Sequence, residues 1–526
     1  MEEQLRKPKI GQVGSGLPLA VQNVYFIWDM SYQKLVSELK RFHHLNSALD
    51  LLGWDEQVNL PRKSAESRAA QSAALADLIH RESIHPQIGS WLNALEQDSL
   101  TAEQQCVVTE ARRDYDRAIN IPSEFVAHRA KHQSQAYHAW VDARNDDDFA
   151  AFAPFLKQQI ELAREEAAFF DLNDLQAYDY HIDKNDPGMT ATVIGNLFDA
   201  LKEEVVPLVK QILDSTIKPD LSMFKGFSIT KQETFLNRVT QTLGFDFDRG
   251  RIDVAVHPFC SGNGADTRLT TRYFADNPLD SLFSAIHETG HGLYEQGLPL
   301  EHLGTGLGMA AGMSVHESQS RLWENQVGRS RSFWDYWEPL YREAFPDQLS
   351  GVTSEQLYLA INAVSRNPIR VDSDEVTYNL HIILRFELEK SLFSGELNIE
   401  DLPAAWNDTA EKMIGVRPVN DSEGVLQDVH WATGAFGYFP SYSLGNMLAA
   451  QLWYAALDEL PGMESDFSRG DFTRLLNWLG EKVHRQGRRY GLMELAKEAT
   501  GQELSCNALI RYLKERYLPL YQPQTL

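Results

Sequence analysis

Two histidines four residues apart, with a glutamate beside the first, mark the stretch of this 526-residue chain best equipped for chemistry. It reads S-A-I-H-E-T-G-H-G-L-Y-E-Q-G, residues 284–297. On an α-helix, side chains four apart share a face, so His287 and His291 can present ring nitrogens to one tetrahedral ion. Glu288 stands next to them, where a carboxylate can take a proton from a water that such an ion activates. The flanking residues can build the helix: Asn277 as N-cap, Pro278 in the first turn, Gly297 and then Pro299 at the end. Leu279, Leu282, Phe283, Ile286, Leu293 and Tyr294 give it an apolar face. Gly290 and Gly292 each cost about 1 kcal/mol in a helix interior, which predicts that something approaches closely there.

A zinc site with an open position takes three protein ligands. The segment V-H-E-S-Q-S-R-L-W-E-N-Q, residues 315–326, offers Glu317 and Glu324 on a shared face, with His316 a weaker candidate. Spacing does not choose between the glutamates. No third histidine follows the motif closely, so a three-histidine site is not expected. A rival chemistry reads Glu288-x-x-His291 as half of a di-iron carboxylate site, with Glu481-x-x-His484 as the other half. That second copy lies in E-K-V-H-R-Q-G-R-R, which has the character of a basic exposed helix end, and the reading leaves His287 unused.

The elements that must position these groups are mostly helices. Leu35, Leu39, Phe42, Leu45, Leu49 and Leu52 recur at helical spacing, and similar stripes continue to about residue 245. One interval differs. Ile252, Val254 and Val256 alternate with polar residues, as do Leu269, Thr271 and Tyr273, with turn-forming residues 260–266 between them. This predicts a β-hairpin immediately before the H-E-x-x-H helix. After residue 275 the chain is helical again. Without an internal repeat or linker, the reading is a mainly α protein: one large domain over residues 30–526. Residues 1–29 are expected to be a poorly ordered extension, with Met30 an alternative start.

Composition excludes several classes of function. Lys and Arg total 49 against 74 Asp and Glu, a formal charge of −25, with no basic block. Nucleic acid is therefore not an expected partner. Cys106, Cys260 and Cys506 are too scattered for a disulfide framework or a thiolate metal site, and fit a reducing compartment. No run of 18 apolar residues occurs and the N-terminus lacks a signal-peptide core, so a cytoplasmic protein without membrane spans is expected.

Five motifs occur together and in order: H-P-F (257–259), D-x-R-x-T (266–270), H-E-x-x-H (287–291), H-E-S-Q (316–319) and G-x-x-Q-D-x-H (424–430). Over roughly residues 31–520 the chain resembles the carboxypeptidase Taq-type metallocarboxypeptidases, departing in Gly292, where relatives often carry Ala. The resemblance implies a zinc ion, or cobalt, held by His287, His291 and Glu317, with Glu288 as general base. It also implies a saddle-like helical fold with a deep groove, and a homodimer.

A carboxypeptidase must capture the terminal carboxylate, for which a guanidinium offers a planar, permanently charged fork. Of Arg268, Arg366 and Arg370, the family pattern points to Arg370 as that anchor. Arg268, with His257 and Asp266, is expected to shape the groove floor, and Arg366 to be an exposed loop charge. Gln427, His430, Tyr438 and Tyr442 are expected to supply substrate and oxyanion contacts. The expected function is a metal-dependent carboxypeptidase that releases C-terminal amino acids from peptides by zinc-activated water attack. The alternative is a zinc endo-oligopeptidase or dipeptidyl peptidase on a similar groove.

Overall fold

A computed structural model describes residues 19–97 and 99–522, with side chains described from Met30 onward. Among these residues the first half is an array of nine helices. They are α1 (Leu19–Val58), α2 (Ala65–Ser83), α3 (Pro86–Leu95), α4 (Ala102–Asn120), α5 (Ser123–Asp146), α6 (Phe149–Ala167), α7 (Ala177–Asn185), α8 (Ala191–Leu213) and α9 (Ile229–Leu243). Three strands follow: β1 (Gly250–Val254), β2 (Cys260–Asn263) and β3 (Asp266–Thr271). Then come α10 (Pro278–Gly297), α11 (Met313–Arg321), α12 (Arg331–Ala344), α13 (Ser354–Ile361), α14 (Glu375–Ser394), α15 (Leu402–Met413) and α16 (Pro440–Glu459). The chain closes with α17 (Met463–Phe467), α18 (Thr473–Lys482), α19 (Leu492–Thr500) and α20 (Asn507–Tyr521). The mainly α reading with a small sheet holds. The boundary expected at residue 30 falls inside α1, and residues 1–18 of the expected extension lie outside the described residues.

The sheet differs from expectation in its pairing. Its order is β1-β3-β2, with β1 parallel to β3 and β2 antiparallel to it. The hairpin is therefore β2–β3, and residues 260–263, expected as turn, form a strand. Alternation along 252–256 and 269–273 signals extended chain but carries no information on partner or direction. At Gly262 (φ +97°) a Cβ would lie 1.9 Å from Asp266 O, so only glycine allows the tight return. β1 is an outer strand, and Val254 at its end is 59 % exposed.

Two cores are present. Leu35, Ile88, Leu92, Leu95, Val108 and Ala111 of α1, α3 and α4 form a small one. The remainder of the described protein shares a large one that extends from Ala136 to Tyr521. Between the two runs a groove of about 890 Å³, with His43, Ser47 and Asp50 of α1 on one wall and Asn263 of β2 on another. It ends at Glu295 and His316.

α10 forms as its sequence predicts. The Asn277 side chain accepts from Asp280 N, Pro278 starts the helix, and Leu282, Phe283, Ile286, Leu293 and Tyr294 are buried. The two glycines admit neighbours. A Cβ on Gly290 would lie 2.6 Å from Ser320 Cα, and one on Gly292 would lie 2.7 Å from a Phe245 ring carbon. Gly290 thus lets α10 and α11 touch through backbone, which brings two helix faces to one point.

Candidate metal centre

The helix contact places His287 and His291 of α10 opposite Glu317 of α11, with one donor atom of each within 4.8 Å of the others. Glu317 Oε2 is 3.8 Å from His287 Nε2 and 3.5 Å from His291 Nε2. Ligands bonded at 2.0–2.2 Å to one tetrahedral ion sit about 3.3–3.6 Å apart, which the 3.5 Å separation meets and the 3.8 Å one slightly exceeds, so the three residues form a candidate cation site. The alternative glutamate, Glu324, lies outside this group. Residues Leu322–Val327 continue α11 as a π-helical turn, which alters the phase on which a seven-residue spacing depends. Glu324 consequently meets the far side of His287, where its Oε2 lies 2.9 Å from Nδ1.

Each metal-facing atom has its opposite end tied down. His287 with Nε2 free carries its proton on Nδ1 and donates to Glu324. His291 Nδ1 meets His316 Nδ1 at 2.5 Å, and His316 Nε2 lies 2.9 Å from Glu295 Oε1. Glu317 Oε1 accepts from Arg321 Nε at 2.6 Å, and Arg321 Nη1 donates to Glu324 at 3.1 Å. Burial opposes charge on Glu317, but Arg321 and His287 outweigh it and hold the carboxyl well below its ordinary value. Burial brings His291 down to about 3, so its ring is neutral and able to ligate. Burial also opposes charge on His287, but Glu317 and Glu324 prevail and raise it.

Glu288 lies beside the triad, 6 % exposed. Its Oε2 is buried and has no hydrogen-bond partner among the described residues. Burial pushes its carboxyl up to about 7, with the neighbouring charge of His287 acting in the opposite direction. A lone buried carboxylate oxygen next to three converging donor atoms is what a base serving a bound water requires.

Arg370 is buried. Its Nε and Nη2 donate to Asp428 Oδ1 at 3.0 and 2.9 Å, and its Nη1 donates to Tyr378 Oη at 3.1 Å. The Tyr442 ring lies 5.2 Å from its guanidinium. Tyr442 Oη is 3.4 Å from His430 Nε2, and the Tyr438 ring is 5.5 Å from that of Tyr442. Burial raises both phenols, Tyr438 to about 12, and the charge of Glu317 adds to the shift in each. His430, Tyr438, Tyr442 and Arg370 thus form one cluster.

The remaining expected residues lie elsewhere or are otherwise occupied. Gln427 has both ends engaged. Its Oε1 accepts from Arg370 N and Arg385 Nη2, and its Nε2 donates to Pro368 O and Glu423 O. Arg268 forms a two-bond pair with Asp266 and lies 4.2 Å from the Trp54 ring of α1. The His257 ring is exposed, while its carbonyl accepts from Thr270 Oγ1. Arg366 is the exposed charge expected. His484 is not part of an exposed helix end: it is buried, its Nε2 3.0 Å from Gln319 Oε1 and its ring against Gly297. The basic residues around it hid that burial.

The groups missing from the sequence reading are Arg321, Tyr378, Arg385 and Asp428. Arg321 follows Glu317 at helical spacing and Asp428 lies inside the G-x-x-Q-D-x-H motif, so both left a signal. Arg385 left none: R-F-E-L-E-K resembles a solvated face, yet this arginine is 0 % exposed.

A sequence profile of the carboxypeptidase Taq (M32) metallopeptidases matches residues 34–517. The thermostable carboxypeptidase 1 of Thermus thermophilus is 41 % identical over 508 residues, covering 94 % of this chain and 99 % of that protein. Carboxypeptidase 1 of Bacillus subtilis is 39 % identical, covering 92 % and 97 %. The crystal structure of a carboxypeptidase of the same family from Deinococcus radiodurans superposes with a TM-score of 0.91 at 42 % identity, covering 94 % of this chain and 99 % of that one.

Proposed function

The chain belongs to the carboxypeptidase Taq (M32) metallopeptidase family and is a metal-dependent carboxypeptidase; from that premise we propose that its ion is zinc, replaceable by cobalt, held by His287, His291 and Glu317. Two imidazoles and one carboxylate are a zinc donor set with a position left open. An ion bound there supplies a Lewis acid that polarises the scissile carbonyl and acidifies water. Glu288 takes the proton of the attacking water and passes it to the leaving amine. Tyr438 and Tyr442, with His430, donate hydrogen bonds to the oxyanion that forms. Arg370 binds the terminal carboxylate of the peptide with the two guanidinium protons that Asp428 and Tyr378 leave free.

The observation that carries this reading is the unpartnered Oε2 of Glu288 beside the three converging donor atoms. Gln427 positions the Arg370 backbone, and Arg268, Asp266 and His257 shape the groove, with Arg268 holding Trp54 of α1 over the sheet. The endo- or dipeptidyl alternative is not favoured by the family. No helix among the described residues is long and apolar enough to cross a membrane. A cytoplasmic homodimer completes the proposal, and light scattering on the purified protein tests the dimer.

The decisive experiment is mass spectrometry of peptides offered with free and with amidated C-termini. Stepwise loss of C-terminal residues from the free series alone, absent in Glu288→Gln, is the expected result. Equal cleavage of amidated peptides would overturn the role of Arg370. Elemental analysis, followed by chelation and restoration with zinc or cobalt, tests the ion.

A further inference from the structure

Asp428 stands between two buried guanidiniums. Arg370 reaches its Oδ1 with two N–H groups, and Arg385 reaches its Oδ2 with two more. Arg385 is 0 % exposed and Arg370 6 %. The other bonds of Arg385 go to neutral acceptors, His381 O and Gln427 Oε1. The Phe439 ring lies 5.3 Å from one guanidinium and 5.7 Å from the other, and Trp406 lies 4.6 Å from Arg385.

Among the described residues no other carboxylate is hydrogen-bonded to either arginine. His381 and His430 are neutral, because burial brings them to about 3 and about 4. Burial raises Glu389 to about 7, with the charge of Arg385 opposing that rise less than its hydrogen bonds do, and it accepts from Trp431, Tyr178 and Gly437 instead of either arginine. Burial opposes charge on Asp428, but the two arginines outweigh it and keep the carboxyl ionised. Two fixed cations therefore share one hydrogen-bonded anion, and one positive charge remains at a largely buried site. Uncompensated buried charge is costly. A fold that retains it gains where a ligand brings the missing anion.

We infer that Arg385 is a positioning residue of the substrate-carboxylate site: by neutralising Asp428 it leaves the charge of Arg370 available to the terminal carboxylate of the peptide. The inference rests on the reading of Arg370 as the anchor. Without Arg385, Asp428 and Arg370 close into a neutral pair, and an incoming carboxylate meets no net positive charge.

The test is charge arithmetic read in KM. Arg385→Gln keeps hydrogen-bonding capacity but removes the charge. KM for free-carboxylate peptides should rise about tenfold or more, while kcat changes little. Arg385→Lys keeps the charge and should keep KM near wild type. The double variant Arg385→Gln with Asp428→Asn removes one charge of each sign, retains an Oδ1 acceptor for Arg370 and should return KM to near the wild-type value. A purely structural role for Arg385 predicts that the double variant is no better than the single.

An unchanged KM in Arg385→Gln, or no recovery in the double variant, overturns the inference. If Arg385→Gln does not fold, the double variant decides alone: a wild-type-like KM supports the inference and a raised one overturns it. Arg370→Gln separates the two layers of the argument. An unchanged KM there means that Arg370 is not the anchor. A raised KM there, beside an unaffected Arg385→Gln, removes only the role of Arg385.

Discussion

His287 and Glu317 each face the metal position with one atom and an ionic partner with the other, which fixes tautomer and orientation before any ion arrives. Glu324 is the partner of His287 and also ties to Arg321. Glu324→Gln should therefore weaken metal affinity by about 10–100-fold while leaving the fold intact. Glu317→Gln removes a ligand and should abolish stoichiometric binding. Competition against a chromogenic chelator ranks the two, and equal effects would mean that Glu324 is itself a ligand. Tyr442→Phe should lower kcat by about 100-fold with little change in KM, if its hydroxyl serves the oxyanion. Steady-state kinetics at saturating peptide measures this. At this scale the sequence supplied residue types and the H-E-x-x-H spacing. Spacing did not separate Glu317 from Glu324, because the π-helical turn at Leu322–Val327 alters the helical phase and no short-range pattern announced it; only the family resemblance did.

The site depends on how closely two helices approach. Gly290→Ala puts a methyl group 2.6 Å from Ser320 Cα, a backbone atom that cannot step aside. The variant should lose several degrees of melting temperature and bind metal poorly, because α10 and α11 must separate. Gly53→Ala in α1 is the control, since a Cβ there meets nothing within 4 Å. It should raise stability by up to about 1 kcal/mol through helix propensity alone. Calorimetry of both variants reads the contrast. The ends of α10 were legible because caps and prolines act within a few residues. The parallel pairing of β1 with β3 was not, since strand partners are chosen by long-range contacts and alternation records only the extended state.

Ion pairs that join distant helices govern how the whole molecule responds to pH. Glu166 of α6 binds Lys184 of α7 at 2.8 Å and also Arg129 of α5. Burial opposes its charge, but Lys184 and Arg129 outweigh that and bring its carboxyl down to about 2 from the ordinary 4.5. A depressed carboxyl stabilises the fold when ionised. Its contribution is complete above the unfolded value of 4.5 and is lost as pH falls from there toward 2. Glu166→Gln should cost on the order of 3 kcal/mol at neutral pH and flatten that acid slope. Urea unfolding from pH 3 to 7 measures both, and an unchanged slope would assign acid sensitivity to other groups.

The sequence by itself determined the helical character of the chain, the paired histidines with their glutamate and the ends of the helix that carries them. It also determined the net charge of −25 and the lack of a Lys/Arg-dense run. Each of these is set by residues within a few positions of one another, or by a simple sum over the chain. Spacing left Glu317 and Glu324 open and the family resemblance implied Glu317; only the tertiary structure decided which strands pair, and that His484 and Arg385 are buried. Those outcomes depend on contacts between segments tens or hundreds of residues apart. The surplus charge beside Arg370 belongs to the same class: it exists because the turn at Arg370–Asp372, α14 and the 424–430 segment bring two arginines to one aspartate, and no local pattern records that meeting.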